Sequence, residues 1–413
     1  MECPHAELAP LSASYLADPY PVFDGLRQRG PVFYDGDLDM YLVTRHADIE
    51  AVFRDAAVFS AANVQDHVFP LHEDSKLLLA DAGFRKLKTM SNADGTMHSR
   101  IRQHNLVGFS PRRLRSLEPL VRSTVGSLIG AMTASGSTTA PVDLVAHLAF
   151  PLPASIIFAL LGFPSEDTPM LKEWGGDRLS FSWGRPTAAE QRGIAEDMLA
   201  YWSYCVAHVE RRLGEPADDF TSDLLAIHRA DPSALSQAEI AHVIYGMSFA
   251  GHETTANLIA NTIRRVLSVD GVWDEIKSDR GIIPKVVDEA LRFDTSVVTW
   301  RRVTTQETTL GGVDLPAGAK VLLLVGSANR DGTVFADPDH FDVHRRDGAR
   351  HVSFGFGKHY CLGATLAKLE VSVLLDEFIT RLPELRLADD QCLRFHPNVS
   401  FRGPRELLVT WTG

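Results

Sequence analysis

Most apolar positions in the chain recur with the three-to-four-residue spacing of an amphipathic helix, and only short stretches alternate. The clearest helical segment begins at Ser236-Gln-Ala-Glu239, which has the form of a helix-capping box, and continues to about Ser268. Another begins near Leu362, contains good helix formers throughout and is followed by Pro383. These patterns predict helices over residues 112–132, 187–213, 236–268 and 362–382. A mostly apolar run predicts a further helix, buried in the core, over residues 154–161.

The predicted β portion is small. Val32–Tyr34 and Met40–Thr44 flank Asp35-Gly-Asp37, which is typical of a hairpin turn. Further short strands joined by Gly and Pro turns are predicted at 308–310, 313–315 and 320–325, and the mixed segment 61–92 is expected to be loop with short helices. Since no repeat or Gly/Ser linker interrupts the chain, we predict a mainly α fold with a minor β portion, in one large domain spanning 1–413.

Composition narrows the function classes. Among 413 residues, 45% are hydrophobic and 23% charged, as in ordinary globular proteins, and the net charge of −12 argues against nucleic-acid binding. Four scattered cysteines fit neither a disulfide framework nor a zinc site, which favours a reduced, cytoplasmic compartment. No signal peptide is visible, and prolines break the longest uncharged stretch, 144–165, so no membrane helix is expected.

The strongest chemical signal is the segment Phe354-Gly-Phe-Gly-Lys-His-Tyr-Cys361-Leu-Gly363, in which three glycines surround one cysteine just before a predicted helix. Glycine lets the backbone approach a flat ligand closely. The N-terminus of a helix stabilises a thiolate through its free N–H groups and partial positive charge. A thiolate in this position can be an iron ligand, although most free cysteines are inert and buried.

This segment resembles the cysteine loop of the cytochromes P450, the haem-thiolate monooxygenases. The family form is Phe-x-x-Gly-x-(His or Arg)-x-Cys-x-Gly, and Phe354, Gly357, His359, Cys361 and Gly363 fit every fixed position. The resemblance implies the cytochrome P450 fold and haem b (iron protoporphyrin IX), with Cys361 as the axial iron ligand. It also implies that His359 binds a haem propionate, that Phe354 covers the sulfur, and that the two glycines shape the cofactor site.

Glu289-Ala-Leu-Arg292 places opposite charges at i and i+3, where they share one helical face. Alone, such a pair is weak evidence, since surface pairs of this kind are common and contribute little. Its position ahead of the cysteine loop matches the Glu-x-x-Arg pair of the family. That resemblance implies a structural pair that anchors the core beneath the haem.

A third motif, Ala250-Gly-His-Glu-Thr-Thr255, lies inside the long predicted helix. Gly and adjacent threonines weaken a helix interior, and a Thr hydroxyl can bond back to a carbonyl one turn earlier and bend the helix. A strained core helix without a catalytic role is the alternative. The motif resembles the oxygen-binding kink of cytochromes P450, which implies that Ala250 contacts the cofactor, that Thr254 holds the oxygen and its water, and that Glu253 feeds protons to them.

Propionate partners are expected elsewhere in the chain. His98 and Arg102 stand four residues apart on a predicted helical face and match the family's His-x-x-x-Arg pair. A further propionate-binding arginine is expected just before a β segment, where Arg301 and Arg302 compete, and the spacing to Gly312 favours Arg302.

The resemblance also implies a substrate pocket on the haem face opposite the thiolate. Residues 61–92 are long enough to act as a lid and are expected to hold any polar group of the substrate. Its expected lining is apolar and uncharged, which favours a neutral, apolar or aromatic substrate near the iron, since an unpartnered charge would be costly there. The lining residues are expected to be Phe249, Val297, Val298, Trp300, Val399 and Phe401.

The predicted activity is therefore insertion of one oxygen atom of O2 into a small apolar or aromatic organic substrate, by hydroxylation, O-dealkylation or epoxidation. Oxidative aryl coupling or nitration in natural-product biosynthesis is an alternative with the same cofactor, and a non-catalytic haem gas sensor is an alternative of another class. The Glu253–Thr254 pair argues against a sensor, because a sensor needs no proton relay.

Electrons must come from outside the chain, since no flavin or iron–sulfur motif is visible. Several stretches look closest to haem domains of bacterial cytochromes P450 fused to a reductase, but this sequence stops at Gly413, where their linker would begin. We therefore expect a separate ferredoxin and ferredoxin reductase, or a fused reductase absent from this chain. A basic patch made by Lys358, Arg112, Arg113 and Arg115 is the predicted ferredoxin-docking surface.

Overall fold

The computed structural model describes residues 3–84, 87–135, 140–176 and 178–412. Helices dominate these residues, and the strands are short, which confirms the predicted mainly α fold with a minor β portion. The helices are α1 (Ala13–Ala17), α2 (Tyr20–Arg29), α3 (His46–Arg54), α4 (Glu73–Asp81), α5 (Gly95–Asn105), α6 (Pro111–Ser135), α7 (Pro151–Leu161), α8 (Thr168–Gly175), α9 (Arg178–Trp183), α10 (Ala188–Gly214), α11 (Phe220–Ala230), α12 (Gln237–Ala250), α13 (Glu253–Ser268), α14 (Val272–Ser278), α15 (Ile283–Phe293), α16 (Val325–Ala328) and α17 (Ala364–Arg381).

The strands lie in three sheets. The largest has the order β1-β2-β8-β5-β3, and two smaller sheets have the orders β4-β10-β9 and β6-β7. The predicted hairpin is confirmed, since Val32 pairs with Val43 and Asp35 with Met40. The strands are β1 (Val32–Asp35), β2 (Met40–Val43), β3 (Phe59–Ser60), β4 (Val142–Asp143), β5 (Trp300–Thr304), β6 (Thr308–Leu310), β7 (Val313–Leu315), β8 (Lys320–Leu323), β9 (Arg386–Leu387) and β10 (Leu408–Thr410).

The long helical segment predicted over 236–268 forms two helices, α12 and α13, separated at Gly251 and His252. The capping box at its start is confirmed: the Glu239 N–H donates to Ser236 Oγ, and the Ser236 N–H donates to the Glu239 carboxylate. At the break, a Cβ on residue 251 would approach Ile157 Cγ1 to 2.9 Å, so only glycine lets the chain pack this closely against α7.

Strand β5 was not among the predicted strands, because the second predicted β region began only at residue 308. It pairs antiparallel with β8, with Arg301 opposite Leu322 and Arg302 opposite Val321. Because side chains alternate across a strand, the two adjacent arginines point to opposite faces of the sheet. This alternation decides which of them can reach the site described below.

The main hydrophobic core lies between the long helices, where α17 packs against α6 and α15, and α13 packs against α15 and α7. Ile263, Val286 and Leu374 are fully enclosed in this core. The apolar run predicted to be a buried helix is α7, whose Ile156 and Leu161 are inaccessible to solvent. In the part of the chain that the structure describes, no helix has both the length and the apolar character needed to cross a membrane.

Candidate active site

The cysteine loop makes a tight turn before α17. Gly355 and Gly357 both have φ of +70°, a conformation that favours glycine. A Cβ at Gly357 would also approach the Phe53 carbonyl oxygen to 2.9 Å, so this position is closed to other residues. The Cys361 N–H donates to the Phe354 carbonyl at 2.9 Å and fixes the cysteine within the loop.

Cys361 is surrounded by the fold but remains accessible. The residue keeps exposed surface although it lies deep in the fold, so a ligand can approach it. Burial raises the pKa of the thiol, whereas hydrogen bonds from the Gly363 and Ala364 N–H groups, and the positive charge of Arg102, act to lower it. These donors belong to the start of α17, as expected for a site that stabilises a thiolate.

Four cationic or potentially cationic side chains converge beside this loop. The His98 and His359 rings lie 4.1 Å apart between centroids. Arg102 donates to the Tyr360 carbonyl at 2.8 Å, next to the cysteine. Arg302 approaches the same two histidines from β5, close enough that its charge affects both imidazoles. The structure thus brings together all four residues predicted to bind propionates.

The positive charge of this cluster is poorly compensated by the protein. Burial, followed by the charges of Arg302 and His98, lowers the pKa of His359 to about 4. Burial also lowers the pKa of Arg302 to about 10. His98 Nε2 is buried without a hydrogen-bond partner, and only Asp94 acts on these groups as a nearby described carboxylate. An anionic ligand placed here would restore the balance.

Asp94 is a member of the cluster that the sequence analysis missed. Its carboxylate lies 3.4 Å from His359 Nε2 and accepts hydrogen bonds from Ser60 Oγ and the Ala61 N–H. It occupies the N-cap position of α5 without capping that helix itself. The only signal in the sequence was an acidic residue at a helix start, one turn before His98.

Of the two adjacent arginines, Arg302 is the one that lies beside His98 and His359. Arg301 points to the other face of β5, where its guanidinium stacks on Trp183 at 3.9 Å and donates to the carbonyls of Val64 and Asp66. Arg302 donates only to the Arg301 carbonyl, at 2.8 Å, among the described residues. Arg302 therefore has donors to spare beside the histidines, and Arg301 does not reach them.

The oxygen-binding motif predicted from the sequence lies at the break between α12 and α13. Thr254 Oγ1 donates to the Ala250 carbonyl at 2.9 Å, the back-bond that bends helices. Glu253 begins α13, where the positive end of the helix favours a carboxylate. Ala250 is exposed although helices surround it, so accessible space adjoins the motif. Because α13 also packs against α17, the motif and the cysteine loop lie on neighbouring helices.

His252 anchors the break and was given no role from sequence. Its side chain is buried, and its ring lies 4.2 Å from the ring of Phe150. Burial, reinforced by the charge of Lys172, lowers the pKa of the imidazole to about 3, and a hydrogen bond to the Phe150 carbonyl acts against this shift. A neutral histidine therefore ties the break to the chain segment before α7.

The predicted pocket residues separate into two groups. Five of the six lie in one aromatic and aliphatic cluster around Trp183, whose indole stacks on Trp300 at 5.5 Å. Val298 and Val399 are almost fully enclosed there, whereas Val297 and Trp300 keep accessible surface. Phe249 lies apart, in the main core beside Tyr201, with their ring centroids 4.6 Å apart.

The Glu289–Arg292 pair has the structural character expected of it. Both side chains are buried, and Arg292 Nε and Nη2 each donate to the Glu289 carboxylate at 2.7 Å. The remaining donors bind the carbonyls of Asn329, Pro338 and His340 at 2.8 to 3.0 Å. All five N–H groups of the guanidinium are therefore satisfied within the protein.

Comparison with known proteins assigns the fold. The sequence profile described as Cytochrome P450 matches residues 273–407. Over 387 residues the chain is 34% identical to the erythromycin C-12 hydroxylase of Saccharopolyspora erythraea, covering 93% of this chain and 92% of that protein. The chain belongs to the cytochrome P450 family. As a cytochrome P450, it is a haem-b monooxygenase that acts on an organic substrate with O2 and electrons from redox partners.

Solved cytochrome P450 structures superimpose over nearly the whole chain. Cytochrome P450 CREJ in complex with (4-ethylphenyl) dihydrogen phosphate is 36% identical, with a TM-score of 0.92, covering 96% of this chain and 98% of that one. An intact type IV self-sufficient cytochrome P450 monooxygenase is 33% identical, with a TM-score of 0.93, covering 98% of this chain and 53% of that one. The predicted likeness to reductase-fused haem domains is confirmed.

The residues of this cytochrome P450 fit haem b. No cluster of three or more His, Cys, Asp or Glu side chains in the described ranges could hold a bare metal ion, whereas an iron carried by a porphyrin needs a single axial cysteine. The accessible Cys361 sulfur provides that ligand type. In the undercompensated cluster, the two arginines Arg102 and Arg302 match the two carboxylates of the porphyrin in sign and number, and His98 and His359 add hydrogen-bond donors.

Proposed function

We propose that this cytochrome P450 oxidises an apolar or aromatic carbon of a small organic substrate, with Cys361 as the axial thiolate and Glu253 and Thr254 as the proton relay. The observation that carries the proposal is the accessible Cys361 sulfur at the start of α17, beside a buried cationic cluster whose charge the protein leaves unbalanced. A non-catalytic haem protein would not require the helix break and its acid–alcohol pair.

Cys361 serves as the electron-rich ligand. The Gly363 and Ala364 N–H groups stabilise the negative charge on its sulfur, and the glycine-rich turn keeps bulky side chains away from it. When bound, haem supplies the iron chemistry that activates O2. The Phe354 carbonyl accepts a hydrogen bond from the Cys361 N–H and so holds the loop closed. We propose that the Phe354 ring shields the sulfur.

His98, Arg102, Arg302 and His359 hold the two propionates. These side chains approach from three parts of the chain, His98 and Arg102 from α5, Arg302 from β5 and His359 from the cysteine loop, so the anions fix three elements relative to one another. A bound propionate offers acceptors to the orphaned His98 Nε2 and to the spare Arg302 donors. Charge-assisted bonds of this kind contribute about 1.5–3 kcal/mol each.

Thr254 and Glu253 move protons toward the oxygen-binding side. The Thr254 hydroxyl donates to the Ala250 carbonyl, and a rotation about its side chain redirects it into the accessible space next to Ala250. Glu253 is half-buried at the start of α13 and can exchange protons between that space and the exterior. Monooxygenation releases the second oxygen atom of O2 as water, which consumes two electrons from the redox partners and two protons that this acid and alcohol would relay from solvent.

The substrate contacts the apolar and aromatic side chains of Phe249, Val297 and Trp300. Hydroxylation of erythromycin by one relative and the aryl phosphate bound by CREJ support an organic substrate with an aliphatic or aromatic reacting part. Val297 and Trp300 retain accessible surface in the Trp183 cluster, so they are the best candidates for contact. Val298, Val399 and Phe401 hold these two in place from behind.

Electrons arrive from a ferredoxin that docks beside the cysteine loop, supplied by a ferredoxin reductase. The docking patch differs from the one expected, because Arg113 is neutralised by ion pairs with Asp218 and Asp223, each at 2.7 Å. Lys358, Arg112 and Arg115 remain exposed. Met97, Leu106 and Tyr360, which follows Lys358 by two residues, also expose apolar surface of the kind that such interfaces need.

The proposal is tested by Thr254→Ala with a substrate found by screening for the low-to-high-spin shift. The variant should keep the spin shift, while product formed per NAD(P)H falls roughly a hundred-fold or more and hydrogen peroxide rises, because the alcohol no longer positions the proton. Product mass and 18O2 incorporation identify monooxygenation and distinguish it from aryl coupling or nitration.

Two controls accompany this experiment. Thr254→Ser keeps a hydroxyl and should restore most of the coupling, which separates proton delivery from packing. Cys361→Ser should lose the red-shifted Soret band of the reduced carbon monoxide complex. Unchanged coupling in Thr254→Ala would remove Thr254 from the relay, and a normal band in Cys361→Ser would remove the thiolate assignment.

A further inference from the structure

A positively charged side chain lies on the aromatic face of α12, in a region where the sequence analysis expected only apolar residues. Arg178, the first residue of α9, places its guanidinium carbon 4.4 Å from the Tyr245 ring centroid and 4.3 Å from that of Phe249. Arg178 also donates to the Tyr245 hydroxyl. The guanidinium is therefore held in a fixed position by two ring faces and one phenol.

This cation has no counter-charge among the described residues. The Tyr245 hydroxyl uses one of its five N–H groups, and no carboxylate of the described ranges pairs with it. Its nitrogens are not among the buried polar atoms that lack partners, and the side chain is only half-buried, so the remaining donors open onto accessible space. The N–H groups of Arg178 that do not bind Tyr245 can therefore bind a ligand.

The position of Arg178 along α12 relates it to the reacting end of the site. Phe249 and Tyr245 lie on α12 and precede Thr254 by five and nine residues, across the break at Gly251 and His252. At 1.5 Å per residue these two aromatic residues stand roughly 8–13 Å from Thr254 along the helix direction, and the guanidinium lies against their rings. Phe84, from the segment expected to form a lid, lies 5.9 Å from Tyr245 between ring centroids and closes the cluster from the other side.

A purely structural clamp between α9 and α12 would not need a charge. An apolar side chain of similar length would pack against Phe249 and Tyr245 without the cost of desolvating a guanidinium that has no carboxylate partner. The aromatic faces and the phenol instead orient the planar fork of donors, which matches the two oxygens of a carboxylate or phosphate.

We propose that Arg178 binds an oxyanion, a carboxylate or a phosphate monoester, on the end of the substrate remote from the carbon that is oxidised. The substrate is then amphiphilic: its apolar or aromatic end reacts near Thr254 and Ala250, and its anionic end is fixed about two helical turns away. This inference rests on the proposed function, because it assumes that the accessible space along α12 receives the substrate.

The test uses probes that bind the haem iron directly, so no substrate needs to be known. A homologous series of ω-(imidazol-1-yl)alkanoic acids is titrated against the holoenzyme, with the matching primary amides and ω-(imidazol-1-yl)alkyl phosphates. The Soret shift caused by the imidazole reports binding. At the chain length that reaches Arg178, an acid or a phosphate should bind on the order of 10- to 100-fold more tightly than its amide.

Variants assign this preference to the guanidinium. Arg178→Gln should abolish the preference of the anion over the amide and leave the affinity of plain imidazole unchanged, and Arg178→Lys should keep part of it. Arg229→Gln, an exposed arginine on α11, is the control and should behave like the wild type. Tighter binding of the carboxylate or of the phosphate identifies which oxyanion the site takes. Either result supports the proposal that Arg178 binds an oxyanion.

Three results would overturn the proposal: equal affinity of anions and amides in the wild type, equal weakening of both in Arg178→Gln, or the same loss in Arg229→Gln. If Arg178→Gln does not fold, the wild-type comparison and Arg178→Lys still decide. Failure of the proposed function is distinguishable, since it would appear as an absent thiolate Soret band or an absent imidazole shift in the wild type.

Discussion

Arg292 and Arg302 are both buried arginines close to the candidate active site, yet the protein treats them oppositely. Arg292 has a partner for every N–H group, including a bidentate pair with Glu289. Arg302 donates to one carbonyl and lies beside two histidines whose pKa values it helps to lower. The comparison teaches that a guanidinium saturated by protein groups holds the fold, whereas one left with spare donors is arranged for a ligand.

The same distinction separates other residues of one type. Arg301 is intermediate, because it stacks on Trp183 and donates to two carbonyls but keeps its Nε buried without a partner. Arg178 belongs with Arg302, because only a phenol receives one of its donors. Residue type and burial alone would not separate these arginines, whereas the partners of each guanidinium and the face of the strand on which Arg301 and Arg302 lie do separate them.

The largest effect is expected from breaking the saturated pair. Glu289→Ala leaves the Arg292 charge buried without its carboxylate, and removing one member of a buried pair costs about 3–5 kcal/mol. We expect this loss in the free energy of unfolding, measured by urea denaturation of the apoprotein. The exposed pair Arg192–Glu196 is the control, since Glu196→Ala should cost under about 1 kcal/mol. Similar losses in both variants would contradict a structural role specific to Glu289.

The second effect is expected from Arg302→Gln, which should change haem binding and spare the fold. Losing one charge-assisted partner should weaken haem retention on the order of 10- to 100-fold, measured as haem transfer to an acceptor protein. The apoprotein should unfold at the same or a higher temperature, because a poorly compensated buried charge has been removed.

Arg301→Gln is the matched control for that experiment, since the residue is equally buried and adjacent in sequence. It should destabilise the apoprotein by breaking the contacts with Val64 and Asp66, and leave haem transfer close to the wild-type rate. If the two variants lose haem equally, the alternation of β5 does not separate a ligand-binding arginine from a structural one.

Sequence predicted the parts of the site that depend on local spacing. The glycines of the cysteine loop, the Glu289–Arg292 pair one helical turn apart, and Thr254 one turn after Ala250 all owe their geometry to neighbouring residues. Strand alternation also lies within reach of a sequence argument, although β5 itself was not predicted.

The rest depended on distant contacts. Asp94 joins the cationic cluster because Ser60 and Ala61 hold its carboxylate, and Arg178 meets Tyr245 only because α9 folds over α12. Arg113 leaves the predicted docking patch because two aspartates more than a hundred residues later in the chain pair with it. No local pattern encodes such meetings, since they arise from the packing of whole helices.

The last effect extends the comparison to the carboxyl groups of one helix, one of which has an oxygen without a hydrogen-bond partner. Glu370 and Glu377 both lie on α17 and both are buried. Burial raises the pKa of Glu370 well above its usual value, and its Oε2 has no hydrogen-bond partner. Burial also acts to raise the pKa of Glu377, but hydrogen bonds from Arg381 and Arg122 lower it overall.

The two glutamates should therefore respond to pH with opposite signs. The folded state keeps Glu370 protonated while the unfolded chain ionises it, so its contribution is present below about pH 4 and is lost as pH rises, by on the order of 1 kcal/mol per pH unit. Relative to wild type, Glu370→Gln should gain stability between pH 5 and pH 8. Glu377 stabilises the fold above its unfolded pKa, so Glu377→Gln should lose stability over the same window and recover in acid. Urea denaturation of both variants at several pH values measures how the stability difference from wild type changes with pH. If this difference changes with pH in the same direction in both variants, the hydrogen-bond partners of the two carboxyl groups do not determine their contributions to stability.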